Sequence, residues 1–447
     1  MHSPDPTPRV GPREVLGLAV PAFLALVAEP LFLMVDAAVV GRLGVVPLAG
    51  LGAASSVLLT AAGVFVFLAY GTTSVVARQF GAGSRRGALE TGVGGVWLAG
   101  CLGVLAALVV GLAARPLAHA FGSSPAALDE AVVYLRISAL GLPAMLLVLA
   151  ATGILRGLQD TRTPLVVATL GFGANAVLSV VLVLGLDLGI GGAAWGTVIA
   201  QWGMAVALLW VVLREGRAAG ASLRPHVGRV AAAALDGVPL LVRTLALRAV
   251  ILMTVATAAD FGDVPLAAYQ VTTTVWSLLV FALDALAIAG QALTGAQLGS
   301  GDARGAREAT ALMVRWGVWG GVVLGLVLLA LHGVLPILFT DDPAVRSAIA
   351  AGLVVIALGQ PLAGYVFVVD GVLIGAGDGR WLAGSMVLVL LAYVPVVAVT
   401  RAVGGGHGPE AAVVALWMAF TVFMLVRGAF MAWRIRGDAW AVTGATR

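Results

Sequence analysis

Two carboxylates, Glu29 and Asp36, lie in the apolar stretch 28–44, which reads AEPLFLMVDAAVVGRLG. Their separation is nearly two helical turns, so both side chains share one face of a helix. Pro30 removes a backbone hydrogen bond directly after Glu29, so the helix can bend there. An ionisable group at membrane depth is expensive unless it faces protein or water. The pattern predicts either a structural polar contact between helices or a titratable switch in a transport cavity.

Asp36 has no obvious intramembrane arginine as a partner, and Arg136 is the nearest candidate in depth. A carboxyl group in a low-dielectric pocket without a fixed cation favours its protonated form. We therefore expect Asp36 to take up a proton at one face of the membrane and release it at the other. Asn175 lies towards the same outer end and either bonds to the protonated acid or makes an ordinary interhelical contact.

The composition identifies the class of protein. Of the 447 residues, 61% are hydrophobic and only 11% are charged, and the mean hydropathy is +1.05. These values are typical of a polytopic helical membrane protein. The sequence has no lysine, so its 26 basic residues are all arginine, and this charge sets membrane topology rather than nucleic-acid binding.

Motifs for enzyme chemistry cannot be recognised. The single Cys101 excludes an intrachain disulfide and a cysteine-based zinc site. The sequence has no nucleophile elbow, no HExxH motif and no phosphate loop with its lysine. We therefore expect no enzymatic activity, no bound metal and no cofactor other than a transported ion.

Apolar windows of about membrane length can be placed twelve times along the chain. They lie near residues 15–40, 48–77, 91–113, 127–157, 164–186, 191–213, 237–259, 265–298, 310–331, 344–375, 382–402 and 410–432. An even number of spans puts both termini on one side. Only Arg42, Arg115, Arg346 and Arg401 would lie in outer segments, whereas most other arginines, Arg427 included, would lie in inner ones. This asymmetry predicts cytoplasmic termini.

The chain contains an internal repeat, because the halves align without a gap at an offset of 218 residues. Val20-Pro21 aligns with Val238-Pro239, and QFGAGSRRGA from Gln79 aligns with QLGSGDARGA from Gln297. Six spans per half give the two copies the same orientation, the architecture of rocking transporters with a cavity between two bundles. We expect an all-α polytopic fold with two pseudo-symmetric six-helix lobes. The predicted parts are a cytoplasmic arm, an N-lobe, a cytoplasmic linker, a C-lobe and a cytoplasmic tail, at residues 1–14, 15–213, 214–232, 233–434 and 435–447.

Intramembrane charges are not duplicated, since Asp36 aligns with Thr254 and Arg248 with Pro30. In span eight, polar residues form one angular stripe, which consists of Gln270, Thr273, Ser277, Asp284 and Gln291. Such a stripe faces protein or a wet cavity rather than lipid. From depth along the spans we expect two ion pairs, Arg248–Asp284 and Arg243–Asp370, with either a structural role or a role in transport.

Six segments together resemble the multidrug and toxic compound extrusion (MATE) family, and more narrowly its DNA-damage-inducible protein F (DinF) branch. They read VPAFLALVAEPLFLMVDAAVVGRLG, VARQFGAGSRRGA, RGLQDTRTP, VRTLALRA, AAYQVTTTVWSLLVFALDALAIAGQALTGAQLGSGD and VDGVLIGAGD. The resemblance implies the two-lobe MATE/MOP-type fold, a cavity that opens alternately to either side, and cation-driven export of amphipathic, often cationic compounds. It also implies that Asp36 is the coupling carboxylate of the N-lobe. We expect a monomer in a bacterial plasma membrane.

One run departs from the family pattern. Members often pair an Asn with an Asp one turn later in span five, whereas this chain reads Asn175-Ala-Val-Leu-Ser179. A sodium ion prefers several oxygens and more than one carboxylate, whereas a proton needs a single suitable Asp. We therefore favour proton over sodium coupling, with Asp36, Glu29, Pro30, Asn175 and Ser179 as the candidate coupling and substrate residues.

Two further functions stay open as alternatives. The first is sodium-coupled export. The second is a flippase for a lipid-linked or polyprenyl-linked substrate, whose anionic headgroup would need unpaired cations in the cavity. The expected acidic partners of Arg243 and Arg248 argue against that flippase.

Overall fold

The computed structural model describes residues 11–120, 124–404 and 406–446, and it leaves the side chains of Glu29 and Phe32 outside that description. Within these residues the regular secondary structure is helical throughout. Long apolar runs favour this outcome, because a helix satisfies its own backbone hydrogen bonds in hydrocarbon.

Nine α-helices form the first half of the chain. They are α1 (Pro12–Gly41), α2 (Val45–Phe65), α3 (Phe67–Gly81), α4 (Arg85–Leu112), α5 (Ala114–His119), α6 (Pro125–Ala139), α7 (Leu142–Gly157), α8 (Arg162–Val180) and α9 (Gly189–Ala218) within the described residues. One turn of π-helix, Val181–Gly185, continues α8.

Six longer α-helices form the second half in the described part of the chain. They are α10 (Val227–Asp260), α11 (Asp263–Gly299), α12 (Ala303–Leu331), α13 (Pro343–Gly375), α14 (Gly379–Gly404) and α15 (Pro409–Arg436). A short 3₁₀ turn, Leu335–Leu338, follows α12.

Among the described residues, 11 helical segments are long and apolar enough to cross a membrane, and α6 with α7, bent by 50°, makes a further span. The prediction of an all-α membrane protein with twelve spans is therefore confirmed. Several helices begin earlier than their apolar windows, as α10 does at Val227. Their polar first turns extend the helix beyond the hydrophobic segment, and hydropathy alone does not mark that end.

The chain divides by packing into two compact units. Residues 17–238 form one, which we call the N-terminal unit, and residues 239–445 together with 11–16 form the other, the C-terminal unit. The second boundary falls inside α10, at Pro239.

The same helix caps occur in both units at the offset of the repeat. The Ser84 side chain caps α4, and the Asp302 side chain caps α12. Ser124 caps α6 in the same way as Asp342 caps α13. These oxygens accept backbone hydrogen bonds at the first turn, where a helix has no partners of its own.

Close helix contacts are also repeated. A Cβ on Gly153 of α7 would lie 2.7 Å from the carbonyl oxygen of Ala69 on α3. A Cβ on Gly371 of α13 would lie 2.3 Å from the carbonyl oxygen of Ala287 on α11. Both pairs are related by the offset of 218 residues, so the internal repeat extends from the sequence to the packing.

Candidate functional site

Asp36 occupies a buried position on α1, with 4% of its surface exposed. The helix runs without interruption through both of its prolines, Pro21 and Pro30. The next turn places Val39 and Val40 in the apolar core of the N-terminal unit. The carboxylate is therefore held at the edge of a packed apolar cluster, away from bulk water.

Two neutral side chains of α8 donate hydrogen bonds to this carboxylate. Asn175 Nδ2 lies 2.8 Å from Asp36 Oδ2, and Ser179 Oγ lies 2.6 Å from Asp36 Oδ1. Asn175 is 6% and Ser179 0% exposed. The structure thus brings together three of the five residues predicted for coupling, and Ser179 holds the position where the family pattern often has a second carboxylate.

An arginine partner for Asp36 is not found among the described residues. Arg136, the nearest candidate by depth, is exposed on α6, so that suggestion is wrong. Depth along a span does not fix the direction in which a side chain points. In the described part of the chain, the groups that contact the carboxylate are the two neutral hydrogen-bond donors, Asn175 and Ser179.

Sequence reasoning missed the residues behind this site. A Cβ on Gly196 of α9 would lie 3.2 Å from Ser179 Oγ and 3.4 Å from Asn175 Oδ1. Tyr134 of α6 is 5% exposed and lies close enough for its hydroxyl to experience the charge of Asp36. The π-turn that follows Ser179 is a rare feature and is frequent at functional sites. A glycine in an apolar helix carried too weak a signal to single out Gly196.

Asn175 uses only part of its hydrogen-bonding capacity. Its Oδ1 atom is buried and has no hydrogen-bond partner among the described residues. A buried acceptor without a partner is uncommon and calls for an explanation. An exchangeable proton or a cation beside Asp36 would supply one.

The other two residues predicted for coupling are not part of this contact. The side chain of Glu29 lies outside the described residues. Pro30 is half-buried within α1. The structure therefore places no polar group of either residue at Asp36.

The C-terminal unit has a neutral pair at the equivalent position. Thr254 Oγ1 and Tyr393 Oη lie 2.7 Å apart, and both residues are buried. The offset of 218 residues relates Thr254 to Asp36 and Tyr393 to Asn175. The same two helices of the repeat therefore meet in both units, through an acid and an amide in one and through two hydroxyls in the other.

Asp370 binds two guanidinium groups inside the C-terminal unit. The predicted contact with Arg243 is present, with Arg243 Nε 3.1 Å from Asp370 Oδ1. Arg427 of α15 also contacts the carboxylate, at 2.8 Å from Oδ1. All three side chains are at least nine-tenths buried. Assigning Arg427 to an inner segment was therefore wrong, although its position inside the apolar window 410–432 was a signal.

The other predicted ion pair, Arg248–Asp284, is not formed. Both residues are half-buried, but among the described residues no carboxylate lies within salt-bridge distance of Arg248. The two residues were paired because they lie at similar depth on neighbouring spans. Depth does not show the direction in which each side chain points from its helix.

The predicted polar stripe of α11 does not share one environment. Gln270 is exposed, whereas Gln291 is 1% exposed. Gln291 Oε1 is a buried acceptor with no hydrogen-bond partner in the described part of the chain. The inner half of α11 packs tightly, because a Cβ on Gly375 would lie 2.3 Å from the Gln291 carbonyl. Periodicity identified a common angle but could not show that the burial of the helix changes along its length.

Comparison with known proteins gives one consistent result. The MatE family model matches residues 21–181 and again residues 239–400. Protein DETOXIFICATION 44, chloroplastic, of Arabidopsis thaliana is 32% identical over 451 aligned positions, which cover 97% of this chain and 84% of the relative. DNA damage-inducible protein F of Escherichia coli (strain K12) is 30% identical, with 93% and 91% coverage. A MATE transporter of Vibrio cholerae has the same fold, with a TM-score of 0.86, 20% identity, and coverage of 96% and 98%.

Proposed function

The chain belongs to the multidrug and toxic compound extrusion (MATE) family of membrane transporters, and on that premise we propose that it is a proton-coupled exporter of small amphipathic molecules. The observation that carries the proposal is the environment of Asp36. The acid is buried, no arginine among the described residues neutralises it, and its partners Asn175 and Ser179 are neutral. A buried acid that lacks a fixed counter-charge is suited to gain and lose a proton.

Asn175 can serve both charge states of the acid. Its amide nitrogen donates to the ionised carboxylate, as in the structure. Rotation of the amide would bring the unpartnered Oδ1 towards Asp36, where it could accept a hydrogen bond from the protonated acid. Proton binding would then change the contact between α1 and α8, and this change would be transmitted to the lobes.

We propose that the protein transports by alternating access and works as a monomer. The two lobes, residues 15–213 and 233–434, would expose the cavity alternately to either side of a bacterial plasma membrane. Both termini would be cytoplasmic, and the working unit would be a monomer. The family resemblance favours an amphipathic, often cationic cargo.

Sodium coupling is the second candidate. It is favoured by one observation, the unpartnered Oδ1 of Asn175, which could join the oxygens of Asp36 and Ser179 around a cation. The site offers one carboxylate only, which favours the proton.

Reconstituted protein in liposomes would decide between the two ions. We expect rhodamine B transport to follow an imposed pH gradient and not an imposed sodium gradient. Asp36→Asn should reduce pH-driven transport to the level of empty liposomes, while Thr254→Val, at the equivalent neutral position, should retain it. Transport driven equally well by sodium, or unchanged in Asp36→Asn, would overturn the proposal.

A further inference from the structure

Arg248 lies at the centre of the apolar window 237–259, on α10. It is half-buried. Among the described residues it has neither a carboxylate within salt-bridge distance nor a hydrogen-bond acceptor. A guanidinium at this depth is tolerated only if it faces protein, water or a ligand. The side chain is therefore a half-buried cation whose hydrogen-bond donors have no partner in the described part of the chain.

The charge of the C-terminal unit does not neutralise Arg248. Asp370 is buried in this unit and already binds Arg243 and Arg427. Asp378, also buried, pairs with Arg434. Neither carboxylate lies within salt-bridge distance of Arg248 in the described part of the chain.

The scaffold itself does not require a cation here. The repeat places Pro30 at the position of Arg248. The N-terminal unit forms the corresponding helices and the same close contacts without a guanidinium at this position. A charge that is expensive to bury and is not needed for folding indicates binding.

We propose that Arg248 binds an anionic group, a carboxylate or a phosphate, on the amphipathic cargo. The inference rests on the proposed transport function and adds an anionic group to the amphipathic, often cationic cargo that the family resemblance implies. A guanidinium presents two parallel N–H donors that match both groups. The anion can belong to a free solute or to a lipid headgroup, and a molecule that carries a cation as well satisfies the same requirement.

Equilibrium binding of two matched dyes to the purified full-length protein tests this assignment. Rhodamine B carries a free carboxylate, and its methyl ester has the same cationic ring system without that anion. We expect the wild type to bind the acid about tenfold more tightly than the ester, because a charge-assisted hydrogen bond supplies that much discrimination. A wild type that binds both dyes equally, or prefers the ester, overturns the proposal without any variant.

Variants then locate the effect. Arg248→Gln should remove the preference for the acid, and Arg248→Lys should restore part of it. Arg315→Gln changes an exposed arginine of α12 and should keep the full preference. If Arg248→Gln keeps it too, or Arg315→Gln loses it to the same extent, the site is not at Arg248. If Arg248→Gln does not fold, two other measurements test the site. Arg248→Lys should bind the acid with a weaker preference than the wild type does, and salt should reduce the wild-type preference. A preference that neither change reduces would place the site elsewhere.

Two further experiments distinguish a lipid headgroup from a free solute as the source of the anion, and the anion-site proposal from the proton-coupling proposal. In nanodiscs, phosphatidylglycerol that competes with rhodamine B at Arg248 would identify a lipid headgroup, whereas no competition would identify a free solute. Acid preference without pH-driven transport would contradict the proton-coupling proposal alone, and pH-driven transport of both dyes alike would contradict the anion site alone.

Discussion

The two units place different chemistry at one position of a shared scaffold. In the N-terminal unit α1 and α8 meet through Asp36 and Asn175, and in the C-terminal unit α10 and α14 meet through Thr254 and Tyr393. The helices, their caps and their glycine contacts are repeated, but the acid is not. The shared scaffold therefore carries a titratable group in one copy and a neutral pair in the other.

The charges of the C-terminal unit show the opposite arrangement. Asp370, a buried carboxylate of this unit, contacts two guanidiniums, whereas Asp36 contacts none among the described residues. A carboxylate between two cations is held in its charged form, and a carboxylate between neutral donors is free to change. We therefore propose a structural role for the Asp370 cluster and a switching role for Asp36, and the following variants test that proposal.

The largest effect is expected at Asp370. Asp370→Asn would remove the buried carboxylate that Arg243 and Arg427 both contact, which should lower the free energy of unfolding by about 3–5 kcal/mol. Asp36→Asn should change stability far less, because the amide keeps one acceptor oxygen, and its NH2 group can donate to Ser179 Oγ or to a rotated Asn175 Oδ1. Thermal unfolding of both variants in detergent measures the contrast. Equal destabilisation of the two would contradict the division into a structural and a switching acid.

The second contrast removes the hydrogen-bond partner at each equivalent position. Asn175→Leu takes both a donor and an acceptor from Asp36 and should strongly reduce pH-driven transport. Tyr393→Phe removes only the hydroxyl that meets Thr254 and should leave transport intact, with a stability loss of about 1 kcal/mol. Transport assays in liposomes and unfolding curves measure the two effects. A transport defect in Tyr393→Phe as large as that of Asn175→Leu would show that both positions act in coupling.

Most of the fold could be predicted from the sequence because its cause is simple. Apolar length fixes the spans, and matches at Pro, Gln and Asp with one offset fix the repeat. The contact of Asp370 with Arg243 followed from depth and from the expense of a lone buried charge. These inferences depend on position along a helix, which a sequence records directly.

The features that could not be predicted depend on the direction in which a side chain points from its helix and on the space left by small residues. The Arg248–Asp284 pair was inferred from depth alone, and depth does not decide which way each side chain points. Gly196 was missed because its role is to leave room behind Ser179, and a sequence does not show what a missing side chain allows. Tyr393 could have been found, because the repeat aligns it with Asn175.

The third contrast compares two glycines of α9. Gly196→Ala would place a methyl group 3.2 Å from Ser179 Oγ and displace the donors of Asp36. We expect a loss of about 1–3 kcal/mol in stability, as for other overpacked sites, and reduced transport. Gly203→Ala is the control, since nothing lies within 4 Å of its added carbon. Similar behaviour of the two variants would mean that the space behind Ser179 is not limiting.

The smallest effect concerns the end of α7 and its counterpart in α13. Gln159 has a φ of 65°, and Gly377 at the equivalent position has a φ of 70°. Both turns close with the same backbone hydrogen bond, Asp160 N to Leu155 O in one and Asp378 N to Leu373 O in the other. A side chain in this left-handed conformation costs about 1 kcal/mol, which glycine avoids. Gln159→Gly should therefore raise the free energy of unfolding slightly, and Gly377→Ala should lower it by a similar amount, in paired thermal unfolding measurements. Since the Gln159 side chain is exposed, a loss of stability in Gln159→Gly would show that the two turns, alike in backbone, are stabilised differently.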